Sequence, residues 1–148
     1  MMHWPPWMIL WRTEKKSRIV SDKEKKITAY HEAGHAILFH LLPDVGPVHT
    51  VSIIPTGVGA AGYTMPQPEK DEMFNTKGRM LQEIMVGLGG RIAEELVFED
   101  ITTGASQDIK GVTDTARAMV TQYGMSEKIG LGISRKGARI KGFGKKVI

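Results

Sequence analysis

Two histidines and a glutamate stand close together at His31-Glu32-Ala33-Gly34-His35. Residues four apart lie one turn apart on one face of an α-helix, so both imidazoles can reach one metal ion. Neutral imidazole nitrogens at about 2.0–2.1 Å suit Zn²⁺. Glu32 directly follows the first histidine. From there it can take a proton from a metal-activated water and pass it to a departing amine. The metal would bring that water's pKa toward about 7 and polarise a carbonyl. The pattern therefore points to zinc-assisted hydrolysis of a peptide bond. Ala33 and Gly34 are small, which leaves room for substrate or a packed neighbour.

A third ligand must come from elsewhere. The continuation His35-xx-Gly-xx-His is absent, because Leu38 and Leu41 occupy those places, so the metzincin pattern is excluded. His40 is five residues past His35 and points to another face, and His49 sits beside an expected strand. Two carboxylate sources remain. Glu94 (or Glu95) lies about sixty residues downstream on a second expected helix. Asp108 lies in the first turn of a third, after Thr103-Gly104-Ala105-Ser106. A helix N-terminus keeps a carboxylate ionised, as ligation requires. The same position also suits a simple capping side chain, and Glu94 and Glu95 also suit a solvated helix face. On these grounds the choice stays open.

A second motif competes. Gly57-Val58-Gly59-Ala60-Ala61-Gly62 fits GxGxxG, but a dinucleotide site needs a helix to begin there. Tyr63-Thr64-Met65-Pro66 follows instead, extended and proline-broken, so the glycines are read as a turn. No GxxxxGK[ST] is present, so the sequence holds no P-loop.

The elements that must position these residues are legible in outline. A helix is expected from about Asp22 to Leu42. Ser21-Asp22-Lys23-Glu24 is a capping box at its start, and Pro43 and Gly46 stop it. Ile27, Gly34, Ile37, Leu38 and Leu41 mark an apolar stripe at helical spacing. Val48, Val51, Ile53 and Ile54 form a strand before the Pro55-Thr56-Gly57 turn, and Gly62-Tyr63-Thr64-Met65 returns as a second. A second helix runs from about Thr76 to Phe98, its Gly89-Gly90 pair inviting close approach of another backbone. A third runs from about Gln107 to Tyr123, with Ile109, Val112, Ala116, Met119, Val120 and Tyr123 as its buried face and Gly124 as its C-cap.

Composition narrows the function classes. The chain of 148 residues is 41% hydrophobic and 24% charged, ordinary values for a globular domain. It has no cysteine, which excludes disulfides, iron–sulfur clusters and thiolate zinc sites. Its net charge of +4 comes from the two ends. Residues 29–128 carry seven basic and thirteen acidic residues, whereas residues 129–148 carry six basic and none acidic. An acidic middle with basic ends argues against nucleic-acid binding. The apolar stretch from Trp4 to Trp11 is far shorter than the roughly 20 residues that span a bilayer. Three parts are expected: an end segment over 1–20, a domain over 21–132, and a basic tail over 133–148.

With these residues in view, the sequence resembles the protease domain of FtsH-type proteins, the membrane-bound, ATP-dependent zinc metalloproteases. Thr28-Ala29-Tyr30-His31-Glu32-Ala33-Gly34-His35-Ala36 carries the likeness first. Pro47-Val48-His49 with Val51-Ser52-Ile53-Ile54-Pro55, Gly89-Gly90-Arg91-Ile92-Ala93-Glu94-Glu95, Thr103-Gly104-Ala105-Ser106-Gln107-Asp108-Ile109 and Met125-Ser126-Glu127-Lys128 follow in order. It covers about residues 13–132, and the ATPase and transmembrane segments and the closing part of the protease domain are not matched.

The resemblance implies a mainly α fold, a helical metalloprotease domain with a small β element and HExxH on a long helix. It implies one Zn²⁺ held by His31, His35 and Asp108, with Glu32 as the catalytic glutamate and Glu94 as a supporting carboxylate. It implies unfolded or damaged protein substrates, a hexamer, ATP used by the family's ATPase domain, and the cytoplasmic face of a membrane. A truncated remnant that binds zinc or a partner without proteolysis is the alternative reading.

Overall fold

The computed structural model describes residues 19–56, 60–68 and 73–131. The Gly57-Val58-Gly59 turn, the basic tail and all but the last two residues of the expected end segment lie outside them. Helix α1 spans Asp22–Leu41. Its start is the expected capping box: Ser21 Oγ accepts from the Glu24 amide at 3.2 Å, and Glu24 Oε2 accepts from the Ser21 amide at 3.1 Å. It ends at Leu42, just before Pro43, with the Leu42 amide returning to the Leu38 carbonyl.

The buried face of α1 differs from the expected apolar stripe. Thr28, His31, Glu32 and His35 are buried, while Ile37 and Leu41 are exposed. The helix turns its chemistry-bearing face inward because the neighbouring elements offer hydrogen-bond partners to those side chains, as buried polar groups require.

Strands β1 (Val48–Ser52) and β2 (Tyr63–Pro66) form an antiparallel pair, with Val51 opposite Thr64 and Ser52 opposite Tyr63. A register irregularity lies between Val48 and Thr50. The pair packs beside α1. Gly62 makes that fit possible, since a Cβ there would stand 2.5 Å from the Ser52 carbonyl and 2.6 Å from Thr28 Cγ2.

Helix α2 spans Lys77–Phe98, and Thr76 caps it by accepting from the Arg79 amide. It lies antiparallel against α1: Tyr30 meets the Phe98 ring edge-on at 5.6 Å, and at the other end Gln82 holds Asp44. The helices cross at Gly34 and Gly89. A Cβ on Gly89 would stand 2.7 Å from the Gly34 carbonyl, and one on Gly34 would stand 2.8 Å from Ala93 Cβ. The glycine pair thus sets a backbone-to-backbone crossing that side chains would prevent.

Beyond Phe98 the chain reverses through Glu99, whose φ of 53° is left-handed. A short 3₁₀ turn, Thr103–Ala105, leads directly into helix α3, Ser106–Thr121. Helix α3 packs on α2, with Val112 against Gly87. Of its expected face only Met119 is buried, while Ile109, Ala116 and Tyr123 are exposed. Gly124, at φ 61°, closes the end as the Met125 amide reaches back to the Met119 carbonyl at 2.9 Å.

The buried apolar residues among those described are Val45, Met80, Val86, Ala105 and Met119. The centre of the fold is therefore shared between a small apolar core and a polar cluster on α1 and α2.

Candidate metal centre

Each member of the cluster is delivered by a different constraint. His31 and His35 stand one turn apart on α1. Gly90 of α2 lets the His31 ring sit against the α2 backbone, for a Cβ there would lie 2.5 Å from Nε2 and Cε1. The 3₁₀ turn swings the first turn of α3 toward the same point and brings Asp108 with it.

The hydrogen bonds decide which ring nitrogens face each other. His35 Nδ1 lies 2.7 Å from the Val86 carbonyl, which can only accept, so Nδ1 carries the proton. His31 Nδ1 lies 2.7 Å from Glu94 Oε1, and a carboxylate there requires the same tautomer. Both Nε2 lone pairs are then turned to a common point. The two Nε2 atoms are 3.1 Å apart. Asp108 Oδ2 lies 3.1 Å from His31 Nε2 and 3.6 Å from His35 Nε2.

Three acceptors at this spacing repel one another unless a cation or added protons lie among them. Ligand atoms about 2.0–2.1 Å from a tetrahedral zinc are spaced by about 3.3 Å, and the three observed edges bracket that value. The donor set of two imidazoles and a carboxylate is one that zinc takes. The residues fit the ion. Asp108 is one-third exposed, so the cluster opens toward solvent on that side.

Charges in the protein without metal reflect this crowding. Burial disfavours a charged His31, but Asp108, Glu94 and Glu32 outweigh it and raise its pKa above 6.5. Burial likewise acts against His35, and Asp108 with the Val86 carbonyl again raises the value. Burial pushes Asp108 upward, yet hydrogen bonds to both histidines hold it well below the usual carboxylate range. Glu32 is raised above 4.5, chiefly by burial, against a hydrogen bond from Thr64 and the nearby histidines.

The other candidates fall into place around the cluster. Glu94 is 1% exposed. It faces the far nitrogen of His31, and its Oε2 accepts from the Thr102 amide and hydroxyl, both at 2.9 Å. Glu95 and His40 are exposed. His49 lies on β1, exposed and bonded to Thr50 Oγ1. Glu32 points from α1 toward β2, where Thr64 Oγ1 donates to its Oε2 at 2.7 Å. Thr64, Thr102 and the Val86 carbonyl escaped the sequence reading. Thr64 had only its place in the returning strand, and the Val86 carbonyl had no sequence signal at all.

The sequence profile of peptidase family M41 matches residues 18–147. The chain belongs to peptidase family M41. Curated relatives agree with that membership. The ATP-dependent zinc metalloprotease FtsH of Veillonella parvula is 57% identical over 117 residues, covering 79% of this chain and 18% of the relative. That of Caldicellulosiruptor bescii is 57% identical over 122 residues, covering 82% and 20%. That of Syntrophobacter fumaroxidans is 52% identical over 117 residues, covering 79% and 18%. The chain spans about a fifth of the length of these relatives. The M41 match begins just before the capping box of α1 and includes both histidines, Glu32, Glu94 and Asp108.

Proposed function

We propose that this M41 chain is a zinc-dependent endopeptidase whose metal is held by His31, His35 and Asp108. The observation that carries the reading is the convergence of two imidazole Nε2 atoms and one carboxylate oxygen, with both Nδ1 atoms already bound to acceptors. When bound, zinc would acidify a water molecule and polarise the scissile carbonyl. Glu32 supplies the base. Its carboxylate is buried beside the histidines, and the raised pKa lets it hold a proton and release it to the departing amine. Thr64 fixes one carboxylate oxygen and leaves the other to receive the proton. Glu94 and the Val86 carbonyl hold the two rings in the ligating tautomer, as partners of metal-bound histidines do.

A substrate strand would seat on β1. Val51 and the following Ile53 and Ile54 are exposed, and an extended peptide can add to such an edge by β-augmentation. The relatives are ATP-dependent zinc metalloproteases, which supports the zinc, the proteolysis and the ATPase of a wider reading. This domain would cut unfolded or damaged proteins delivered by an ATPase, within a hexamer, at the cytoplasmic face of a membrane. Among the described residues no helix is long and apolar enough to cross a membrane, so attachment would rest on segments of the family other than these helices.

The test is zinc content measured beside casein hydrolysis, with and without chelator. Wild type should hold one zinc, and His31→Ala none. Glu32→Gln should keep the zinc and fall at least about 100-fold in rate, since loss of a general base costs roughly 10²–10⁴-fold. Full activity in Glu32→Gln, or zinc retained by His31→Ala, would remove the assignment.

A further inference from the structure

The segment that leads to Asp108 is tied to α2 through Thr102. Every hydrogen-bonding group of Thr102 is engaged. Its amide and its hydroxyl both donate to Glu94 Oε2 at 2.9 Å. Its carbonyl accepts from Arg91 Nη2 at 3.2 Å. Arg91 and Glu94 are three apart on α2, so they project from one face of that helix. The Thr102 hydroxyl also accepts from the Gly104 amide at 3.1 Å and so caps the 3₁₀ turn that runs into α3. Ala105, in that turn, is fully buried. The other oxygen of Glu94 holds His31.

One carboxylate thus joins a histidine of α1 to the turn that launches Asp108, and Thr102 is the residue through which the turn is joined. We infer that the Thr102 hydroxyl is a positioning group of the metal centre. It fixes Glu94, and with it the His31 ring, in register with the arm that carries Asp108. This inference rests on the zinc reading above. It adds that the relative placement of two ligands from different helices depends on a third residue whose hydrogen bonds go to Glu94, Arg91 and Gly104.

Valine matches threonine in shape and lacks the hydroxyl. The amide-to-Glu94 bond survives in Thr102→Val, and the exposed Gly104 amide can turn to water, so the fold has no reason to fail. Affinity for Zn²⁺ is measured on the full chain by competition with a chromophoric chelator. Cobalt is then substituted and its visible ligand-field bands recorded. Thr102→Val should bind zinc about tenfold more weakly than wild type, at the low end of the roughly 10–100-fold typical of groups behind the ligands. Its cobalt bands should move, and Thr102→Ser should restore both. In a Glu94→Gln background the same change should lose most of its effect, because the two groups act as one unit.

Wild type without zinc would defeat the zinc reading and this inference together. Wild type with zinc, and Thr102→Val within twofold of it with unchanged cobalt bands, would defeat the inference alone. Should Thr102→Val not fold, Thr102→Ala replaces it against Thr102→Ser. The same tenfold gap is then expected, and its absence is equally fatal.

Discussion

Replacing Glu94 with glutamine changes almost no volume but confronts a buried amide with partners it cannot satisfy. Glu94 is 1% exposed, and both of its oxygens are required as acceptors. Oε1 accepts from His31 Nδ1, and Oε2 accepts from the Thr102 amide and hydroxyl. If the glutamine oxygen is turned to His31, its NH₂ meets the Thr102 N–H, donor against donor. If the amide is reversed, its NH₂ meets His31 Nδ1. The ring must then carry its proton on Nε2, which removes the lone pair that faces His35 and Asp108. An unsatisfied buried group costs about 1–3 kcal/mol. With every 1.4 kcal/mol worth a factor of ten, zinc affinity should fall roughly 5–150-fold. Asp108→Ala instead deletes an atom from the cluster itself and should cost more than about 100-fold, beyond the range of a supporting group. A zinc titration against a chromophoric chelator, at neutral pH and with folding verified by circular dichroism, ranks the two variants. If folded Glu94→Gln proves the weaker binder, the roles of the two carboxylates are reversed and the reasoning from ring nitrogens fails.

Two further outcomes test the packing and the charges. Gly34→Ala should destabilise the chain by about 1–3 kcal/mol, because its Cβ would collide with the α2 backbone at the helix crossing; urea unfolding reads this directly. The protein held free of metal by chelator should lose thermal stability as pH rises from about 6 to about 8. His31 and His35 have pKa values raised above 6.5 in the fold, so their contribution is complete below 6.5 and vanishes as pH climbs through the raised values. Glu32, also raised, acts in the same direction, whereas the lowered Asp108 gives its contribution above 3.8 and loses it only in acid. Zinc should invert the trend, since ligation needs deprotonated imidazoles. A metal-free melting temperature that increases over that interval would contradict the arrangement of charges.

The helices were legible because their ends are local events. Ser21 and Glu24 satisfy each other within one turn, and Gly124 supplies a left-handed residue where α3 must stop. Periodicity misplaces the buried face of α1 because it weighs apolar residues. Ile37 and Leu41 lie at helical spacing and remain exposed, while Thr28, His31, Glu32 and His35 share the same period and are buried. A polar stripe goes inward only if partners await it. Those partners, Glu94, the Val86 carbonyl and Thr64, come from elements far along the chain.

The same long-range dependence left the third ligand open between Glu94 and Asp108. Both are acidic residues on helices, and nothing in their spacing from His31 separates them. What separates them is direction around a single ring. Glu94 approaches Nδ1 at 2.7 Å, and Asp108 approaches Nε2 at 3.1 Å. Nε2 is also the nitrogen that His35 faces, so a carboxylate there lies within reach of both rings, whereas one at Nδ1 meets His31 alone. That distinction arises from the Gly34–Gly89 crossing, which fixes the ring against α2, and from the Thr102 anchor, which sets the path of the turn into α3. Neither feature has a composition or a period of its own. Each is a contact between segments more than fifty residues apart or between a turn and a helix face, and it exists only once the chain has folded.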